Sequence, residues 1–292
     1  MYKNGKPNYN EIVFSEEQEK DIIDSYLSGE SSVKISKRLG LNCHKPILKV
    51  LHRNGIDVCQ KRFVRKYALD EDYFEVIDSP EKAYILGLLY SDGSNNPKKG
   101  TVSISLQEED YELLEQIRIL INSEKPLEYL DYSNKHDFGY SYKNQYRLLL
   151  FSTKICKDLE NLGVYPNKSL KVKFPTFLED QYYSHFVRGV FDGDGSIYSY
   201  YKNENNTPVI VTITATNDFC QGLKLYIENH LGIHCGIYEA SCHNGITKVF
   251  SLSGRNLPKV FLDWMYKDAT IYLQRKYDRF IEYYHLDDSL LA

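Results

Sequence analysis

The sequence predicts an α+β protein in which two related α/β halves follow a small all-α segment. Three observations carry that expectation. An apolar, helix-like segment ending in Asp-Gly occurs twice, as ILGLLYSDG closing at Gly93 and as VRGVFDGDG closing at Gly195. The strand and helix periodicities that follow each copy come in the same order. Residues 31–66 carry ten Lys/Arg against one acid, Asp57, a local charge of +9 in a chain whose net charge is −4. The distribution of charge, more than its sum, marks a nucleic-acid partner.

In chain order, Ser15 can cap a helix beginning EEQEKDII, with Gln18 completing a capping box. Ile22, Ile23, Tyr26 and Leu27 give that helix an apolar side, and Gly29 a stop. A second helix fits residues 32–39, packing through Val33, Ile35 and Leu39. A third fits residues 43–54, packing through Ile47, Val50 and Leu51 and turning Lys45, Lys49, His52 and Arg53 outward. The layout resembles a helix-turn-helix domain, whose third helix enters the major groove. Lys61, Arg62, Arg65 and Lys66 continue its positive track toward phosphates. A trihelical packing domain with a solvated basic face is the competing reading. The expected boundaries are 1–66 for this domain, 67–80 for an acidic, proline-containing linker, 81–178 for the first repeat and 179–292 for the second.

Each repeat opens on its apolar helix, over residues 83–90 and 183–191. Gly87 and Ser91, like Gly189 and Gly193, are four residues apart and share one helix side, where two backbones can approach closely. Asp92 and Asp194 fall at the helix ends, 102 residues apart, and Gly93 and Gly195 permit a sharp exit toward a strand. The first repeat then reads as strands 101–106 and 146–151 with helices 108–121 and 154–162. The second reads as strands 196–201, 209–214, 233–239 and 249–252 with helices 218–229 and 257–265. Alternation places Thr101, Ser103 and Ser105, and likewise Thr212 and Thr214, in outward rows. Two curved antiparallel sheets of this kind can straddle duplex DNA.

These motifs resemble the LAGLIDADG homing endonuclease family, in its single-chain, two-repeat form, over about residues 80–285. The resemblance implies a pseudo-twofold pair of α/β repeats, motif helices packed at the centre, and a β saddle for DNA. The first motif departs from the family pattern at Tyr90, where an acid is expected, but keeps Asp92; the second keeps Asp192 and Asp194. Catalytic and metal-binding roles therefore pass to Asp92 and Asp194, with a backbone ligand near position 91 left open. Asp192 is expected to be a local hydrogen-bonding residue. Two close carboxylates repel unless a cation neutralises them. Mg²⁺, with Mn²⁺ as a substitute, supplies that charge and polarises phosphate oxygens. Lys168 and Lys276 follow the last helix of their repeats and are the expected basic partners, with Lys171 as the substitute in the first. By resemblance, the product is a double-strand break with short 3′ overhangs in a long, asymmetric target, made by a monomer. A catalytically inactive DNA-binding transcriptional regulator and an intron RNA maturase are the alternatives; both could use the same surfaces.

Composition narrows the setting. The chain has 292 residues, 42% hydrophobic, which is enough for folded cores. No stretch is long and apolar enough for a membrane span, and residues 1–9 lack a secretory core. Six scattered cysteines without a CxxC pair fit reduced thiols in an intracellular protein of cytoplasm or nucleoid. His230, His234, Cys235, Cys242 and His243 cluster in sequence, but their spacing lacks a finger pattern and argues against zinc.

Overall fold

The computed structural model describes residues 2–3, 6–7, 12–56, 58, 66–133, 136–137, 140–200, 208–240 and 247–285. Residues 1–66 and 67–292 form two compact units. In the first, helix α1 (Glu16–Leu27) starts on the expected reciprocal cap. Ser15 Oγ accepts from the Gln18 amide at 3.3 Å, and Gln18 Oε1 accepts from the Ser15 amide at 3.0 Å. Helices α2 (Ser32–Arg38) and α3 (Lys45–Arg53) follow. Gly29 and Gly40 end the first two helices with φ of +108° and +71°, conformations that a Cβ disfavours. Ile22, Tyr26, Ile35, Ile47, Val50 and Leu51 form the core. Leu27 and Val33, expected to pack, are 66% and 45% exposed. The helices meet along a stripe narrower than the apolar residues in the sequence.

The second unit contains the two repeats. Helix α4 (Pro80–Ser91) is capped by Ser79, with Pro80 at its first position, where no amide donor is needed. It leads into β1 (Gly93–Asn96), β2 (Thr101–Gln107), α5 (Tyr111–Leu120), β3 (Glu128–Leu130), β4 (Gln145–Phe151) and α6 (Thr153–Asn161). Helix α7 (Tyr183–Asp194) begins the same series again with β5 (Gly195–Tyr198), β6 (Val209–Thr216), α8 (Asn217–Leu231), β7 (Gly236–Glu239), β8 (Thr247–Gly254) and α9 (Asn256–Tyr266). A further helix, α10 (Gln274–Tyr284), was not foreseen. Both sheets are antiparallel, in the orders β1-β2-β4-β3 and β5-β6-β8-β7. Identical order in two separately encoded sheets makes the internal duplication structural.

Helix α4 buries every residue from Ala83 to Tyr90, as expected of a helix that is apolar all round. Its principal neighbour is α7. A Cβ on Gly87 would lie 2.0 Å from the Phe186 carbonyl oxygen, and one on Gly189 2.0 Å from the Tyr84 carbonyl oxygen. The two glycines thus make reciprocal backbone contacts. Gly93 and Gly195 are required for a different reason from the one expected. Neither has positive φ; a Cβ there would strike the last turn of its own helix, 2.6 Å from the Leu89 carbonyl oxygen or 2.5 Å from that of Phe191.

Candidate active site at the seam between repeats

The close packing of α4 on α7 brings their C-terminal ends together. Asp92 caps α4 and Asp194 is the last residue of α7. A Cβ on Gly193 would lie 3.0 Å from Asp92 Oδ2 and 1.9 Å from Ser91 Oγ, so the glycine beside Asp194 lets the other repeat's acid approach. Both aspartates are solvent-accessible, yet crowded by protein on most sides. That crowding, by stripping water, raises both carboxyl pKa values. Asp194 is pushed up to about 6, first by desolvation and then by the negative charge of Asp92. A cleft of about 380 Å³ runs from Ser91 and Asp194 past Leu170 to Thr214 on the second sheet.

Lys168 and Lys276 both come to this seam. Each feels the charges of Asp92 and Asp194. Their anchoring differs. Lys276 Nζ donates to the carbonyls of Phe191, Asp192 and Gly195 at 2.6, 2.8 and 2.6 Å, spending all its protons on the end of α7. Burial lowers its pKa to about 8. Lys168 Nζ donates to the Ser91 carbonyl at 2.6 Å, and burial lowers its pKa too. Cations at helix C-termini are favoured by the exposed carbonyls, so both lysines also secure the helix ends that bear the acids. Lys171 is exposed, and its amide donates to the Lys168 carbonyl at 2.7 Å.

Three residues support the site from behind. Asp192 is buried, and its Oδ2 accepts from Tyr84 Oη on α4 and from the Leu273 amide, both at 2.8 Å. It joins both motif helices to Leu273, the N-cap of α10, and Lys276 lies in the first turn of that helix and not after the last helix as expected. Burial pushes its pKa up to about 6. At the matching place in α4, Tyr90 Oη donates to the Leu162 carbonyl at 2.6 Å, so a hydroxyl stands where the family pattern has an acid. Asn95 Nδ2 donates to the carbonyls of Cys156 and Val164 at 2.9 Å, fixing the approach to Lys168. Sequence alone gave Asn95 no distinguishing signal. Arg188 was also missed. It is fully buried and bonds the Ile271 and Met265 carbonyls at 3.0 and 2.5 Å and His185 Nδ1 at 2.9 Å.

The pair of carboxylates offers oxygen ligands to a hard divalent cation, which is commonly held by one or two carboxylates, water and substrate phosphate. Among the described residues no cluster of three or more His, Cys, Asp or Glu forms a fuller cage. The donor set fits such a cation, because the repulsion between Asp92 and Asp194 is what a cation relieves. His230 stacks on Tyr226, His234 Nδ1 lies 2.8 Å from Glu228, and burial pushes the Cys235 thiol up to about 12; Cys242 and His243 lie outside the described residues.

The outward rows fall as the alternation predicts. Thr101, Ser103 and Ser105 are half-buried between buried Val102, Ile104 and Leu106. Thr212 and Thr214 alternate with buried Val211 and Ile213. In the N-terminal unit Lys45, Lys49, His52, Arg53 and Lys66 are exposed. Arg53 turns back to Glu19, with Nε 3.2 Å from Oε2. Lys61, Arg62 and Arg65 lie outside the described residues.

A LAGLIDADG-like domain matches residues 79–162 and again residues 181–264. The chain belongs to the LAGLIDADG family. Its fold is similar to that of the homing endonuclease I-WcaI bound to its DNA recognition sequence, with TM-score 0.50 and 13% identity over 70% of this chain and 90% of that one. The LAGLIDADG homing endonuclease I-LtrWI bound to target DNA matches with TM-score 0.43 and 13% identity, over 76% and 95% of the two chains. The N-terminal LAGLIDADG domain of DUF199/WhiA matches with TM-score 0.37 and 14% identity, over 76% and 93%. At such identities the likeness bears on fold alone. No curated protein matches by sequence. Among the described residues of this LAGLIDADG protein, no helix is long and apolar enough to cross a membrane.

Proposed function

We propose that the chain is a sequence-specific DNA endonuclease that makes double-strand breaks with Mg²⁺, Mn²⁺ substituting. One observation carries the reading: two carboxylates 102 residues apart, Asp92 and Asp194, meet at one seam with Lys168 and Lys276 beside them. When bound, the divalent ion supplies positive charge to phosphate oxygens and to the leaving oxygen. Asp92 and Asp194 hold it; Lys168 and Lys276 add positive potential and keep the helix ends in place. The two sheets' outward rows track the duplex, and the different residues on each suit an asymmetric target. A single chain suffices, because both repeats are in it. Short 3′ overhangs are the expected product.

The test is a cleavage screen on double-stranded DNA, with fragment ends sequenced. Cutting of both strands that requires Mg²⁺ supports the proposal; intact DNA across the screen, with or without metal, contradicts it. Retention of RNA over DNA would favour a maturase instead.

Acidity gives a separate check. A carboxyl raised to about 6 must lose its proton before it can ligate, so divalent-ion binding should strengthen as the pH rises through about 6. The rise in melting temperature on adding Mg²⁺ should be larger at about pH 7.5 than at about pH 5, the lower value lying below the raised pKa. Equal shifts at both would contradict metal binding at Asp194.

The N-terminal unit is proposed to extend the footprint through Lys45, Lys49, His52, Arg53 and the positive track of Lys61, Arg62, Arg65 and Lys66. Removing residues 1–66 should shorten the protected DNA and flatten the salt dependence of binding, roughly by one logarithmic unit of slope per lost phosphate contact. Footprinting and titration at several salt concentrations measure both. An unchanged footprint and slope would remove the anchoring role.

A further inference from the structure

The open faces of the two sheets differ in charge. On the second, the outward residues Ser196, Tyr198, Ile210, Thr212, Thr214 and Val249 are paired across β5, β6 and β8, and none is charged. On the first, Arg147 of β4 stands opposite both Ser105 of β2 and Glu128 of β3. Arg147 Nε and Nη2 lie 3.0 and 2.5 Å from Glu128 Oε2. The other oxygen, Oε1, is taken by Lys125 Nζ at 2.6 Å. Lys125, then Arg147, hold the Glu128 carboxyl below the usual carboxylate range.

The division of labour on Glu128 matters. An arginine that leaves its only counterion strands a charge, which is costly. Here Lys125 stays on Oε1, so Arg147 can turn away without leaving the carboxylate unpartnered. Arg147 is about one-third exposed and its fork suits the O6 and N7 acceptors of guanine. The freed Oε2 is an acceptor of the kind that cytosine N4 satisfies. We infer that Arg147, backed by Glu128 and Lys125, reads a G·C pair in the half-site lying on the first sheet. The half-site on the second sheet is read by hydroxyl and methyl contacts. This deepens the DNA-cutting proposal and rests on its DNA-binding part.

The experiment selects bound duplexes from a randomised double-stranded library, using the full chain with a chelator present so that cutting plays no part. The expected result is a guanine position in one half-site, preferred about tenfold or more over the other bases. Arg147→Ala should level that position, Arg147→Gln should lose its guanine preference, and both should leave the preferences elsewhere, which report a folded protein. A guanine preference unchanged in both variants overturns the inference, as does loss of every preference in both. Failure of the unsubstituted chain to enrich any duplex overturns the DNA-binding proposal and this inference with it. A selected sequence that lacks the Arg147-dependent guanine overturns this inference alone.

Discussion

Asp92→Asn and Asp194→Asn should each lower double-strand cutting by a factor on the order of 10³ or more, with most DNA affinity retained. That factor corresponds to about 4 kcal/mol of transition-state stabilisation, at about 1.4 kcal/mol per tenfold, a size that charge stabilisation by a metal can supply. On the proposed reading, affinity should survive because phosphate and base contacts spread over sheets and helices would dominate binding. Single-turnover cleavage and binding titration of each variant measure the two quantities. Normal cutting by both variants would reject the seam as the reaction centre. Stability supplies a second readout. A carboxyl whose folded pKa is raised favours folding while protonated, and that contribution is lost as the pH rises through about 6 for Asp194. In metal-free protein at about pH 7.5, Asp194→Asn should therefore melt no lower than the parent, above that raised pKa. The gain is small, because the side chain reaches solvent. A strongly lowered melting temperature would mean that Asp194 serves the fold and not the chemistry.

Gly87→Ala and Gly189→Ala should damage the fold most. Each places a methyl group 2.0 Å from a carbonyl oxygen of the opposing helix, and backbone cannot swing aside as a side chain can. Alanine gains about 1 kcal/mol of helix propensity over glycine. Overpacking costs about 1–3 kcal/mol and more where nothing yields, so the clash wins. A net loss of about 2–3 kcal/mol lowers the melting temperature of a unit this size by roughly 4–12 °C. The two losses should not add, since both substitutions part the same seam. Thermal melts of the single and double variants test this. Cutting should fall further than stability, because separated helices separate Asp92 from Asp194. Unchanged melting in both single variants would mean that the helices do not pack through these glycines.

The parts of the structure that could be read from sequence are those set by local rules. Ser15 and Gln18 formed their capping box because each needs only a neighbour three residues away. The first apolar segment became α4 because apolarity on every side requires burial on every side, whereas α7 is as deeply buried although it carries His185, Arg188 and Asp192. The outward rows of Thr101 and Thr212 followed from alternation alone. What escaped was set by partners distant in sequence. The β1 segment, Gly93–Asn96, is short and polar, and it is a strand because β2 pairs with it. The three residues of β3 have too little length for a periodicity. Nothing near Lys276 shows that its ammonium closes two carbonyls of α7 and that of Gly195 just beyond it, some eighty residues earlier. Its resemblance to Lys168 in sequence concealed a different anchorage. Asp192 was legible as a hydrogen-bonding residue, but its two partners, Tyr84 and Leu273, required the fold.

On the proposed reading, acids from both repeats hold divalent ions against DNA at one seam. Anomalous X-ray diffraction from the full chain crystallised with a selected duplex and Mn²⁺ tests it most directly. Manganese should lie within ligand distance of the Asp92 and Asp194 carboxylates and of backbone phosphates on both strands. Manganese elsewhere, or phosphates that pass the seam with neither carboxylate engaged, would contradict it.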